Sequence, residues 1–333
     1  MAERPKLVLA MRPDILDLVL PAPLRARLDQ LTAVHPRLVT EVGSADSAAA
    51  LADAELLLTG WGSPAVDSAV LALAPHLGAV IHAAGTVKGH VRPEVWQRGI
   101  AVSSAADANA GPVIDFTMAT VVLAARRTLG AAADYHHGKL PTYGDRRGAD
   151  GAVVGVIGAS RIGRGVIARL RAAPAGFRVL LADPYVTPAD AAGLGAELVD
   201  LDELCRASDI VTVHAPDLPE THHLLDARRL GLLRDGAALI NTARGRLLDT
   251  EALTRECATG RIDAYLDVTE PEPLPHGHRL HSLRNVLLTP HIAGCQGTEV
   301  QRLGAYALDE IARWIHGEPL LGRVHADDLA RIA

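Results

Sequence analysis

Short apolar runs alternate with helical stretches along nearly the whole chain, and no other feature limits its fold as strongly. In the first hundred residues, 7–10, 37–40, 55–59, 79–83 and 100–103 read as strands, while 24–31, 65–73 and 93–98 read as helices. A second series begins at 152–157 and continues through 178–182, 210–214, 237–241, 262–266 and 286–288. Strands that are apolar throughout, alternating with helices, pack as a parallel sheet covered on both faces. The expected class is therefore α/β, with two doubly wound parallel-sheet domains. Between the two series a longer helix is expected from Pro112 to about Arg127, with proline in its first turn and Gly130 beyond its end. The polar stretch 134–150 lacks periodicity and reads as a connecting arm, and a helix near 299–316 closes the chain.

Composition narrows the class of function. A length of 333 residues leaves room for two domains, and 49% hydrophobic with 22% charged residues excludes disorder. A formal charge of −6 offers no footprint for nucleic acid or an anionic membrane. No apolar run approaches the ~20 residues that span a bilayer. The residues after Lys6 give only five apolar positions before Arg12, too few for a signal peptide, so a cytoplasmic location is expected. Cys205, Cys257 and Cys295 are far apart and never in a CxxC arrangement, which argues against disulfides and against zinc, so no metal is expected.

One turn in the second series carries a specific chemistry. The run 152–157 leads into Gly158-Ala159-Ser160-Arg161-Ile162-Gly163 and then a helical stretch. A strand–turn–helix of this kind offers main-chain N–H groups and the positive end of a helix dipole to a pyrophosphate. The first glycine allows the tight turn, and the last lets helix and strand pack closely. The middle position, where glycine would let the main chain approach phosphate, is Ser160, a departure from the pattern. Asp183 stands twenty residues after Gly163, where an acid accepts hydrogen bonds from the adenosine ribose. Pro184 and Tyr185 follow, with no arginine for a 2′-phosphate, so NAD is expected rather than NADP. A P-loop is excluded, because Arg164-Gly165 stands where Lys-Ser/Thr is required.

Three further segments put chemical side chains just past strands, where open α/β sheets bind ligands. They are Asn241-Thr242-Ala243-Arg244-Gly245, Asp267-Val268-Thr269-Glu270-Pro271-Glu272-Pro273 and Thr289-Pro290-His291-Ile292-Ala293-Gly294. Singly, each has a bland reading. Arg244 could be an ion-pairing surface arginine, Glu272 a solvated loop acid with Glu270 as competitor, and His291 is one of 15 histidines. Together they are far more specific.

With these motifs the chain resembles the D-2-hydroxyacid dehydrogenases, an NAD-dependent family that includes phosphoglycerate, glycerate and D-lactate dehydrogenases. The likeness is strongest from Pro112 to Gly294, takes in Val213-His214-Ala215-Pro216 through Glu220-Thr221, and thins before residue 100. It implies an NAD-dependent oxidoreductase that interconverts a small D-2-hydroxy acid and its 2-keto acid by hydride transfer. It puts carboxylate binding at Arg244, the acid/base at His291 and that histidine's acidic partner at Glu272. Cofactor contacts carry over to Gly158, Ser160, Arg161, Ile162, Gly163, Asp183, His214, Pro216, Thr221, Thr242, Ala243, Arg244, Asp267, His291 and Gly294. The resemblance further implies a Rossmann cofactor domain over 110–294 and a flavodoxin-like substrate domain made of 1–109 and 295–333. Two crossing helices would hinge them, and the long helix with the arm would form a homodimer.

The residue types suit that chemistry on their own terms. A planar guanidinium fork matches a carboxylate, an imidazole exchanges a proton near neutral pH, and a neighbouring carboxylate orients the ring. Substrate recognition departs from the family. At Ala84-Gly85-Thr86-Val87-Lys88 the second glycine of the carboxylate-binding turn is missing, and Lys88 is a candidate second carboxylate ligand. Trp61, in Thr59-Gly60-Trp61-Gly62, is a candidate wall for the substrate side chain. Two alternatives stay open: an NAD(H)-sensing, corepressor-like binding protein on the same fold, and a formate- or phosphite-type dehydrogenase.

Overall fold

Apolar side chains on both faces of nearly every strand leave no side for water, so each sheet must be covered twice. The chain builds this arrangement in two units. In the computed structural model, which describes residues 4–330, one unit takes the chain up to Ala110 and again from Cys295, and the other is Gly111–Gly294.

In the first unit, β1 (Lys6–Ala10), β2 (Ala33–Val39), β3 (Leu56–Thr59), β4 (Ala79–His82) and β5 (Ala101–Ser104) form an all-parallel sheet. Its order is β2-β1-β3-β4-β5, a doubly wound order with its switch point between β1 and β3. Val8, Leu57, Val80 and Val102 feed the core on one face; Leu7, Leu56, Leu58 and Ile81 feed the other. The late helix Val300–Ile315 covers that second face with Leu303, Ala307, Leu308 and Ile311, which is why the end of the chain belongs to the unit that begins it.

In the second unit, β6 (Val153–Ile157), β7 (Arg178–Ala182), β8 (Glu197–Leu198), β9 (Ile210–Val213), β10 (Ala238–Asn241), β11 (Asp263–Leu266) and β12 (Val286–Leu288) are also all parallel. The order β12-β11-β10-β9-β6-β7-β8 reverses direction between β6 and β9. Two doubly wound parallel-sheet units are thus present, as the strand–helix alternation predicts.

Three expectations need correction. The long helix begins at Ala106 and runs to Ala125, so Pro112 lies inside it rather than in its first turn. A proline has no N–H to give, which deprives the Ala108 carbonyl of its helical donor, and the Cys295 thiol points at that carbonyl from 3.7 Å. This helix is also long and apolar enough to cross a bilayer, with a mean hydropathy of 1.3, which a count of unbroken apolar runs does not register. Val121, Ala124 and Ala125 spend that apolarity on the second unit's core. Lastly, β2 begins at Ala33 rather than at residue 37, and helix Thr128–His136 extends into the expected arm.

Candidate active site

In the second unit, β7 and β9 lead away from β6 in opposite directions, and in open α/β sheets such a switch point is where ligands bind, beyond the carboxyl ends of the strands. Gly158 sits there with φ of 93°, and a Cβ on it would lie 2.8 Å from the Ala215 nitrogen and 2.9 Å from the His214 carbonyl. A Cβ on Gly163 would lie 2.0 Å from the Gly158 oxygen. Only glycine fits at either position. Ser160 turns out to be a helix cap: its Oγ accepts from the Gly163 N–H at 3.3 Å and starts the helix Arg161–Ala172. A serine therefore replaces the middle glycine with a gain in helix definition. Arg161 and Ile162 open that helix, where first-turn N–H groups are not used by the helix itself.

Asp183 follows β7 and faces the same turn. Its Oδ2 accepts from the Ala159 N–H at 2.7 Å and its Oδ1 from the Tyr185 N–H at 2.8 Å. A turn with no room for a side chain, a helix start and a fixed acid fit a dinucleotide. His214, past β9, packs its main chain against Gly158 and turns its ring inward. Its imidazole is buried, lies 2.9 Å from Thr212 Oγ1, and is pushed by burial down to a pKa of about 3, so it is neutral. Thr221 Oγ1 donates to the Pro216 oxygen at 2.6 Å and accepts from Leu218 N–H at 2.9 Å, which fixes the loop after β9.

The arginine loop follows β10. Asn241 closes it on itself: Oδ1 accepts from Ala243 N–H at 3.0 Å, and Nδ2 donates to the Arg244 oxygen at 2.8 Å. Thr242 Oγ1 lies 3.0 Å from Thr117 Oγ1. The Arg244 guanidinium donates to the Ala243 oxygen at 2.6 Å; burial pulls its pKa down while Glu272 and Asp217 pull it up. A half-buried cation of this kind is primed for an anionic partner. A Cβ on Gly245 would lie 2.0 Å from the Thr269 carbonyl, so glycine is what allows this loop to press against the next one.

That next loop, after β11, begins with Asp267, which is only 2% exposed. Its Oδ1 accepts from Thr289 Oγ1 at 2.6 Å and from Ile292 N–H at 2.8 Å, and its Oδ2 accepts from Ala293 N–H at 2.8 Å. The Asp267 main-chain oxygen accepts from His291 N–H at 2.9 Å. Asp267 thus shapes the turn that presents His291, whose φ is 56°, and its carboxylate is committed to that turn. His291 Nδ1 meets Glu272 Oε1 at 2.6 Å. A carboxylate accepts, so Nδ1 carries the hydrogen and Nε2 is the ring nitrogen left to exchange a proton. Glu270, the rival acid, belongs to a different cluster with His222, His223 and Arg246.

In the first unit, Trp61 follows β3 at the switch point; its oxygen accepts from Arg12 N–H at 3.0 Å and its ring is partly exposed. Ala84 is buried, so only its main chain is available to a ligand. A Cβ on Gly85 would lie 3.2 Å from Asn109 Nδ2, and Thr86 Oγ1 accepts from Lys88 N–H at 3.1 Å. Asn109, Asn241, Asp267 in its turn-shaping part, and Thr289 were not anticipated as positioning groups. Asn241 and Thr289 had a readable signal, since short polar residues at strand ends bond to the adjacent main chain.

Residues 118–293 match the D-isomer specific 2-hydroxyacid dehydrogenase, NAD binding domain family. The chain is 36% identical over 230 residues to D-3-phosphoglycerate dehydrogenase of Methanocaldococcus jannaschii, covering 67% of this chain and 42% of that protein. It is 33% identical over 267 residues to glyoxylate reductase of Thermofilum pendens, covering 76% of each. The chain spans about half the length of the phosphoglycerate dehydrogenases it matches. Among solved structures, the TT0316 protein of Thermus thermophilus superposes with a TM-score of 0.74 at 30% identity, covering 96% of this chain and all of that one. D-lactate dehydrogenase of Aquifex aeolicus, solved with NAD and lactic acid, gives 0.72 at 25% identity, covering 94% and 96%.

Proposed function

We propose that this chain, which belongs to the D-isomer specific 2-hydroxyacid dehydrogenase family, interconverts a small D-2-hydroxy acid and its 2-keto acid with NAD. The observation that carries the proposal is the 2.6 Å contact of His291 Nδ1 with Glu272 Oε1 in the unit that also holds the half-buried Arg244. When bound, NAD supplies the hydride acceptor for the hydroxy acid and the donor for the keto acid. Gly158, Ser160, Arg161, Ile162 and Gly163 would hold its pyrophosphate, and Asp183 its adenosine ribose. The segments at His214, Pro216 and Thr221, at Thr242 and Ala243, and at Asp267 and Gly294 complete that set.

Arg244 binds the substrate carboxylate through its fork. His291 Nε2 donates a proton to the keto oxygen in reduction and removes it from the hydroxyl in oxidation, while Glu272 holds the ring by Nδ1. The first unit is proposed as the substrate domain, with Trp61 and the Ala84-Gly85-Thr86 main chain and Lys88 as recognition elements. The exposed side chains Val122, Leu123, Tyr135, Leu140 and Tyr143 support a homodimer through this stretch. Three free, buried cysteines support a reducing compartment, the cytoplasm. The test is NADH consumption against a panel of 2-keto acids by the wild type. Turnover of at least one acid is expected, and no turnover of any acid despite NADH binding would favour a sensing role.

A further inference from the structure

His222 and His223 are consecutive, and in an extended chain consecutive side chains point to opposite sides. Here His223 has φ of 50°, and the two rings stack with centroids 3.9 Å apart and planes 21° apart. Both Nε2 atoms consequently turn to one acceptor. They lie 3.8 Å (His222) and 3.6 Å (His223) from Glu270 Oε2, and one ligand atom from each of the three residues falls within 4.8 Å of the other two. Those separations are too long for hydrogen bonds. The two imidazole–carboxylate distances are close to the ~3.3–3.5 Å that separates neighbouring ligand atoms around a tetrahedral zinc with bonds of ~2.0–2.2 Å. Glu270 Oε2 is moreover shielded from solvent and accepts no hydrogen bond, while Oε1 is taken by Arg246 Nε at 3.4 Å. Arg246 in turn lies 3.5 Å from Asp217, which offsets part of its positive charge.

The donors are held before any ion arrives. His223 N–H donates to the Arg246 oxygen at 2.8 Å, and the Glu270 oxygen accepts from Thr250 Oγ1 at 2.8 Å. Two imidazoles and one carboxylate, partly exposed, form a nitrogen-rich set that suits zinc and its borderline neighbours and does not suit magnesium or calcium. We propose that His222, His223 and Glu270 form a binding site for one zinc-class divalent cation, with solvent completing the coordination. The ion ties the loop after β9 to the loop after β11. The site does not depend on the hydride-transfer reading, and cysteine spacing gives no hint of it.

The test is calorimetric titration of the untagged full chain, freed of metal by chelator and dialysis, with zinc chloride and with magnesium chloride. One equivalent of zinc should bind at micromolar concentration, magnesium should not bind, and zinc should raise the thermal unfolding temperature. Glu270→Gln, which keeps the side chain's size, and His222→Asn with His223→Asn should each weaken zinc binding by ~100-fold or more. Cobalt(II) should give visible ligand-field absorption in the wild type that Glu270→Gln loses. His291→Asn should leave zinc affinity unchanged. Absence of saturable zinc binding, equal affinity in the Glu270 and double-histidine variants and the wild type, or loss of binding only in His291→Asn would each overturn the site.

Discussion

Replacing His82 by asparagine should make the first unit less sensitive to acid by about 2 kcal/mol between neutral pH and about pH 5. His82 ends β4 and is 4% exposed, with Nδ1 2.8 Å from Thr59 Oγ1 and its ring 4.8 Å from that of His90. Burial, helped by the neighbouring His90, pushes its pKa down to about 3, and burial brings His90 to about 4. In an unfolded chain a histidine titrates near ~6.5. The folded value is the lower one, so the unfolded chain takes up the proton first as pH falls. The stability that His82 contributes is whole above ~6.5 and is lost progressively from there down to about 3. At about pH 5, roughly 1.5 units below the unfolded value, the loss is about 2 kcal/mol at ~1.36 kcal/mol per unit. His90 adds in the same direction. Trp61, Trp96 and Trp314, the 3 tryptophans, all belong to the first unit, so their fluorescence in urea follows that unit alone. With a slope of roughly 2 kcal/mol per M, the wild-type midpoint should fall by about 1 M more than that of His82→Asn over this pH range. Asparagine keeps a polar group beside Thr59. Equal falls in the two proteins would refute the argument from burial.

Other outcomes follow from the proposed chemistry. Arg244→Lys should raise KM for the keto acid far more than for NADH, because losing a bidentate contact to a half-buried charge costs ~2–5 kcal/mol. Steady-state kinetics check it, and unchanged keto-acid KM removes Arg244 from the site. His291→Ala should lower kcat by ~10²–10⁴ while NADH affinity, followed by fluorescence, stays near wild type. Retained kcat would end the assignment of the proton to this ring. Asp183→Ser with Pro184→Arg should move preference toward NADPH in paired kinetic assays. A wild type that uses both cofactors equally would contradict the role given to Asp183.

Much of the fold was legible because its signals are local. Apolar runs spaced by helices announce parallel sheets, and the Gly158–Gly163 turn followed by Asp183 names its ligand class within one strand, one helix and the next strand. Short helices such as Ala45–Ala52 and Leu201–Ala207 span too few turns for periodicity to register, although their caps at Ser44 and Asp200 stand in the sequence. The start of the long helix is not legible, because proline favours a first turn statistically, while here Pro112 lies inside the helix and the Cys295 thiol faces the stranded Ala108 carbonyl from 3.7 Å.

Residue identity alone determined which side chains are able to hold a carboxylate, move a proton or accept from a ribose, because those capacities belong to functional groups. The tertiary structure decided which groups meet. Sheet order brings the loops after β11 and β12 together, so His291 reaches Glu272 across 19 positions while Glu270, two residues away, joins His222 and His223 instead. Burial then sets each group's state: Asp267 is consumed in holding a turn, and His82 and His214 are kept neutral. Proximity and desolvation arise only when distant segments pack, and a linear pattern carries neither.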